Sequence, residues 1–170
     1  MRDWDGEYKD GRWKGLGRVQ EVGHNSIIAG LITYYDKGQF VLDVGCGLCT
    51  LEKYLVIDNY HGLDISIAAL QGARPRLPSK LFQGDVNTWE PINNQKYSCI
   101  IFNESFYYLS LEEATKVLEK VRTWLEPGGM LIISMWSKDI KNWEALANWK
   151  QLTEFYIGTG QDVWWVGVYV

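Results

Sequence analysis

Between residues 39 and 136 the chain alternates short runs of strand-forming residues with helical runs, and that alternation admits few folds. QFVLDV (39–44) reads as a strand, TLEKYLV (50–56) as a short helix and YHGLD (60–64) as the next strand. SIAALQGAR (66–74) is helical and stops before Pro75, KLFQGD (80–85) is a strand, and YSCIIFN (97–103) is an apolar, fully buried one. Ser110 with Glu113 makes a capping box, opening a helix whose Leu111, Ala114, Leu118, Val121 and Leu125 form the buried stripe. That helix ends at EPGG, and MLIISMW (130–136) is another strand. Such a pattern means a parallel sheet covered on both faces and joined by right-handed crossovers.

The flanks complete this α/β architecture. Residues 139–150 read as a helix, after which TEFYI and VWWVGVYV flank Gly158, Thr159 and Gly160 as a terminal hairpin. A five-residue turn joins only antiparallel neighbours, so the doubly wound sheet carries one reversed strand at its edge. Upstream, Ile28, Leu31, Ile32 and Tyr35 fall at i, i+3, i+4 and i+7, which gives residues 19–35 one inward helix face. Residues 1–18 hold four glycines with Trp4, Tyr8 and Trp13 and lack helical periodicity, so they read as an irregular aromatic leader.

At 170 residues and 46% hydrophobic, the chain suits one domain with one core. It divides into the leader at 1–18, a core at 19–136 and the terminal helix and hairpin at 137–170. No run of about 18 apolar residues is present and the N-terminus is polar, so neither a membrane span nor a signal peptide is expected, and the chain reads as soluble and cytoplasmic. The net charge of −4, without a block of Lys or Arg, argues against nucleic acid as a partner. Three cysteines fit a reducing compartment better than a disulfide framework. Cys46 and Cys49 have redox spacing, but a zinc site needs about four ligands and only Cys99, His24 and His61 remain, so no metal is expected.

In an open α/β sheet the ligand crevice lies at the carboxyl ends of the strands. Gly45 and Gly47 sit there, in VLDVGCG, where a bare backbone and a following helix N-terminus suit a carboxylate or phosphate. The nicotinamide fingerprint GxGxxG requires glycine at position 50, and Thr50 stands there. Asp64 ends the second strand, Asp85 the third, and Asn103 with Glu104 the fourth. Polar groups thus reach one sheet edge from three consecutive strands.

These stretches resemble the class I, Rossmann-like S-adenosylmethionine-dependent methyltransferases. VLDVGCG looks like that family's first motif, HGLDIS its second, FQGDVNTW its third, CIIFNESFYYL its fourth and LEPGGMLIIS the turn and strand that follow. The resemblance implies a seven-stranded, mostly parallel sheet of order 3-2-1-4-5-7-6, and S-adenosylmethionine as methyl donor with S-adenosylhomocysteine as product. It places the methionine part of the donor at Asp43, Gly45 and Gly47, the ribose at Asp64, the adenine at Asp85 and Val86 and the sulfonium near Asn103, with Cys46 and Ile65 as further cofactor-binding residues. Cys49 departs from the common GxGxG form at that loop's least constant position. ExxHxxIIAGLI (21–32) and NESFYYL are also similar to compact bacterial methyltransferases acting on glycans and oligosaccharide amines, the nodulation type included.

Methyl displacement at a sulfonium requires a positioned nucleophile, and a base where the acceptor is a hydroxyl or an ammonium. His24 is one candidate base, because an imidazole titrates near neutrality; Glu104, at the mouth of the site, is the other. Glu21 stands one helical turn from His24 and faces the same way. Glu21 itself, Tyr107 and Tyr108 after the fourth strand, and Trp4, Tyr8 and Trp13 in the leader are candidates for holding the acceptor. Trp143, Trp149, Trp164 and Trp165 read as packing. With no inserted cap domain, the acceptor is expected to be a small molecule or sugar unit. A catalytically silent cofactor-binding module is the competing reading.

Overall fold

The computed structural model describes residues 2–17, 19–77, 79–136, 142–159 and 162–170. Seven strands form one sheet: β1 (Val41–Val44), β2 (Tyr60–Asp64), β3 (Ser79–Gln83), β4 (Tyr97–Asn103), β5 (Leu125–Trp136), β6 (Gln151–Thr159) and β7 (Asp162–Tyr169). Their order is β3-β2-β1-β4-β5-β7-β6, with β1 to β5 parallel and β7 antiparallel to both β5 and β6. This is the arrangement of the Rossmann-like methyltransferase fold. The hairpin falls where the runs TEFYI and VWWVGVYV place it, although Gly160 lies outside the described residues.

The sheet is buried on both faces, and the side-chain period of two divides its residues between two cores. Leu42, Val44, Ile100, Phe102, Leu131 and Ile133 pack on one face with helix α4 (Leu111–Trp124). Val41, Cys99, Ile101, Ile132 and Val168 pack on the other with helix α2 (Val19–Tyr34), through Ile28, Leu31 and Ile32. α4 opens on the expected box: Ser110 Oγ accepts from the Glu113 N–H, and the Glu113 carboxylate accepts from the Ser110 N–H. Its buried stripe is Ala114, Val117, Leu118, Val121 and Trp124, whereas Leu111 is exposed and Leu125 already belongs to β5.

Three helical expectations need correction. The leader is not irregular: Trp4–Lys9 forms α1, whose N-terminus is capped by Asp3 accepting from the Gly6 N–H, and a 3-10 turn follows at Lys14–Gly17. After β1 the chain makes only a 3-10 turn, Leu51–Tyr54, in place of a helix over 50–56. Cys49 precedes it at φ +57°, and the buried Glu52 carboxylate is held by the N–H groups of Arg76 and Leu77, each 2.9 Å away. That lateral tie fixes the segment as a turn. Of the helix expected at 139–150, residues 139–141 lie outside the described residues, and the remainder is a 3-10 turn at Trp143–Leu146. Asn142, left-handed at φ +63°, interrupts any helix there, and Trp143 packs on Trp165 with ring centroids 4.3 Å apart. The short helix α3 (Ile67–Gly72) forms as expected, capped by Ser66 and ending before Pro75. No described helix is long and apolar enough to cross a membrane.

Candidate active site

A cavity of about 890 Å³ opens at the carboxyl ends of β1 to β5, roofed by α1 and flanked by the start of α2. Small-molecule sites commonly span roughly 300–1,000 Å³. Its floor is the turn after β1. Gly45 and Gly47 take φ of +75° and +52°, the left-handed region that glycine enters without penalty. A Cβ at Gly45 would stand 2.5 Å from Ser105 Cβ, and one at Gly47 would stand 2.6 Å from the Tyr8 hydroxyl. Both positions therefore require glycine.

Cys49 is left-handed without being glycine, and its side chain is fully buried in the α2-side core. Packing of the thiol offsets the backbone strain, and this is how a loop lacking its third glycine keeps its shape. Contact with Cys49 and burial push the Cys46 thiol well above its ordinary range, the opposite of a reactive thiolate.

Asp64, at the end of β2, ties the floor together. One carboxylate oxygen accepts from the Gly47 N–H at 2.7 Å and the other from the Ser66 N–H at 2.8 Å. Burial nevertheless raises its pKa, with these two N–H groups opposing the rise. Asp43 is wholly buried, and its Oδ2 accepts from the Tyr60 hydroxyl at 2.7 Å. Its Oδ1 has no hydrogen-bond partner within the protein, and burial pushes its pKa up to about 7. Asp85 Oδ1 accepts from the Asn87 N–H and side-chain amide, both at 2.9 Å. Cys46, Ile65, Val86 and Asn103 also line the cavity.

At the far end, Glu104 stands at φ +58°, a strained conformation held by its N–H bonding to the Ser134 carbonyl at 3.0 Å. Its carboxylate accepts from Ser134 Oγ (3.2 Å), the Trp136 N–H (3.1 Å) and the Tyr107 hydroxyl (3.2 Å). Burial pushes it up to about 7 despite those donors, and the nearby Glu21 adds to the rise. Glu21 itself is raised by burial.

The structure brings Glu104, Glu21, Tyr107, Tyr108, Trp4, Tyr8 and Trp13 to the cavity wall and leaves His24 out of it. His24 is 1% exposed and stacks on Trp164 at 5.0 Å between ring centroids. Burial pushes its pKa down to about 4. Glu21 does face it, at 3.6 Å from Nε2. One position along α2, Asn25 takes the place expected of His24: it lines the cavity and accepts from Asn103 Nδ2 at 2.9 Å. Trp164, expected to be packing, is also on the wall, together with Trp136 and Asp162. The signal available for Asn25 was its helical phase, about 100° from His24. For Trp164 there was none.

The roof is the leader. Asp5 Oδ1 accepts from Ser66 Oγ at 2.6 Å and from the Ala68 N–H at 3.1 Å, so α1 is pinned at the start of α3. Trp4 meets Tyr108 edge-on at 4.8 Å, and the Arg2 guanidinium lies 4.0 Å from the Trp4 ring. The leader thus bridges the glycine floor and the loop after β4. Asp5→Ala is expected to release it: the Ala68 amide exchanges faster with solvent, and limited proteolysis cuts within residues 1–18 at a several-fold higher rate. Unchanged exchange and cleavage would show that the aromatic contacts suffice.

A family profile described as a methyltransferase domain matches residues 41–129, from the start of β1 to the entry of β5. The chain belongs to the methyltransferase-domain family. Among relatives of this methyltransferase-domain chain, trans-aconitate 2-methyltransferase of Paracidovorax citrulli (strain AAC00-1) is 32% identical over 100 residues, 56% of this chain and 38% of that protein. Phosphoethanolamine N-methyltransferase of Plasmodium falciparum (isolate 3D7) is 33% identical over 115 residues, 61% of this chain and 42% of that one. The chain therefore spans less than half the length of these two curated relatives. The fold is similar to that of N-methyltransferase NodS from Bradyrhizobium japonicum WM9 in complex with S-adenosyl-L-homocysteine. There the TM-score is 0.76 at 15% identity, with 92% of this chain and 90% of NodS covered.

Proposed function

We propose that this chain binds S-adenosylmethionine across the glycine floor and transfers its methyl group to a hydroxyl or amine of a small molecule or sugar unit. The observation that carries this reading is one cavity whose wall combines Gly45, Gly47, Asp43, Asp64, Asp85 and Asn103 at one end with Glu104 and Glu21 at the other. The residues fit the donor. Asp43 Oδ1 is a buried acceptor with no partner in the protein, which suits the ammonium of a methionine group. Asp64 is a carboxylate at the end of β2, where such a group accepts ribose hydroxyls. Asp85 and Val86 are assigned to the adenine and Asn103 to the neighbourhood of the sulfonium, as the motif resemblance implies.

S-adenosylmethionine supplies a methyl carbon on a sulfonium, so the acceptor's lone pair forms the new bond while the carbon–sulfur electron pair returns to sulfur. What the protein contributes is position and a proton acceptor. Glu104 takes the base role, since its raised pKa lies close to neutrality and it stands on the cavity wall. His24 is reassigned to positioning, between Glu21 and Trp164.

Calorimetry against S-adenosylmethionine and S-adenosylhomocysteine, with NADH as control, tests the reading. Saturable binding of the first two is the expected result, and its absence would overturn it. Mass spectrometry across a panel of sugars, amines and alcohols is then expected to show the gain of one methylene by an acceptor. Cofactor binding without any such gain would favour the silent binding module.

A further inference from the structure

From the wall beyond the glycine floor we infer that the acceptor is an amine bound as its ammonium, seated between Glu104, Glu21 and the rings of Trp136, Trp164 and Tyr107. This rests on the methyl-transfer reading and narrows its acceptor to one class. The wall there is rich in acceptors. Glu104 carries two carboxylate oxygens that receive three hydrogen bonds in all, leaving room for a further donor. Glu21 and Asp162 add two more carboxylates to the same wall. A ligand completing this surface must donate. An ammonium brings three N–H donors and a positive charge, whereas a carboxylate or phosphate brings acceptors only.

Charge balance points the same way. Among the described residues, the cations on the cavity wall are Arg2 and Arg12, and both are already engaged by Glu7. Arg2 makes two bonds of 2.8 Å to that carboxylate and Arg12 one of 3.1 Å. An anionic acceptor would therefore face the carboxylates of Glu104, Glu21 and Asp162, while the cations of the wall among the described residues, Arg2 and Arg12 on the leader, are shared with Glu7. Burial keeps both Glu104 and Glu21 protonated to higher pH than an ordinary carboxyl, and at Glu104 the nearby charge of Glu21 adds to the rise. A cation between them relieves both the repulsion and the burial. The rings of Trp136, Trp164 and Tyr107 border the same wall, and aromatic rings attract a positive charge placed over them.

The same placement accounts for the proton. An ammonium has no lone pair and must lose one proton before it can act as a nucleophile. Glu104 receives that proton as its carboxylate becomes the carboxyl, and the nitrogen, once alkylated, carries the positive charge again. Glu21 holds the cation without being needed as a base. It is a binding residue in this arrangement.

The test is equilibrium binding, without turnover, to the protein alone and to the protein saturated with S-adenosylhomocysteine. Benzylamine, benzyl alcohol and benzoate share one ring and differ in the charge they present; glucosamine and glucose do the same on a sugar. The amine of each set is expected to bind at least about 10-fold more tightly than its neutral counterpart, the scale of one charge-assisted hydrogen bond, with benzoate the weakest. Glu21→Gln is expected to remove most of that preference by weakening each amine far more than its neutral counterpart, with the affinity for S-adenosylhomocysteine unchanged. Preference for glucosamine over benzylamine would identify a sugar amine as the acceptor, and the reverse a simple alkylamine. An amine that binds no better than its neutral partner, including the case in which no member of either set binds, overturns the inference. The methyl-transfer reading survives that result as long as S-adenosylhomocysteine binds, and fails only if it does not.

Discussion

Glu104→Gln is expected to lower turnover by about 10²- to 10⁴-fold, the usual loss when a positioned general base is removed, while making the folded protein more stable above neutral pH. The two effects share one cause. The carboxyl is pushed from its ordinary 4.5 to about 7, mainly by burial. A raised carboxyl pKa means that the folded state holds its proton where the unfolded chain has released it. Its contribution to stability is therefore intact below 4.5, falls as pH rises toward about 7, and stays low above that. At about 1.4 kcal/mol per unit, ionising Glu104 in the folded protein costs roughly 3 kcal/mol, and glutamine escapes that cost. Urea unfolding at about pH 4 and about pH 8 checks this: the variant should match the parent at the lower pH and exceed it at the higher. Equal stability at both would mean that Glu104 is better solvated than its burial implies.

Asp64→Ala is expected to weaken S-adenosylmethionine binding by about 10- to 100-fold, or roughly 1–3 kcal/mol, on the scale of losing a charge-assisted bond. Part of this is direct, through the hydroxyls that the carboxylate is assigned to receive. The rest is indirect, because the same carboxylate anchors the Gly47 and Ser66 N–H groups and so shapes the floor. Asp64→Asn keeps the shape but replaces one acceptor oxygen by a donor, opposing whichever N–H it meets, so it too disturbs the floor. Calorimetry together with thermal unfolding reads both contributions. Unaltered affinity in the alanine variant would remove Asp64 from the cofactor site.

Much of this arrangement is legible in the sequence, because it is local. Gly45 and Gly47 follow a strand directly, and Asp64, Asp85 and Asn103 each stand within a residue or two of a strand's end. In a parallel sheet, ends of neighbouring strands meet at one edge whatever the helices do. Short-range rules likewise place Ser110 with Glu113 and the terminal hairpin. They fail where a distant partner overrides local preference: Glu52 held by Arg76 and Leu77, Asn142 bonded to the Leu109 carbonyl, and α1 stabilised by Asp5 reaching Ser66.

The end of the cavity around Glu104 is where that failure matters most. Glu104 meets Ser134 and Trp136 across thirty residues or more, Asn103 meets Asn25 across 78, and Trp164 arrives from the last strand to cover His24. The choice between His24 and Asn25 is one of rotation about a helix axis, which the apolar face of α2 sets only once it is docked on the sheet. By itself, then, the sequence determined the sheet, its glycine floor and the row of polar strand ends, since each depends on neighbours along the chain. Only the tertiary structure decided which acids line the cavity and how readily they give up a proton, because burial and the approach of one carboxylate to another are properties of folded space.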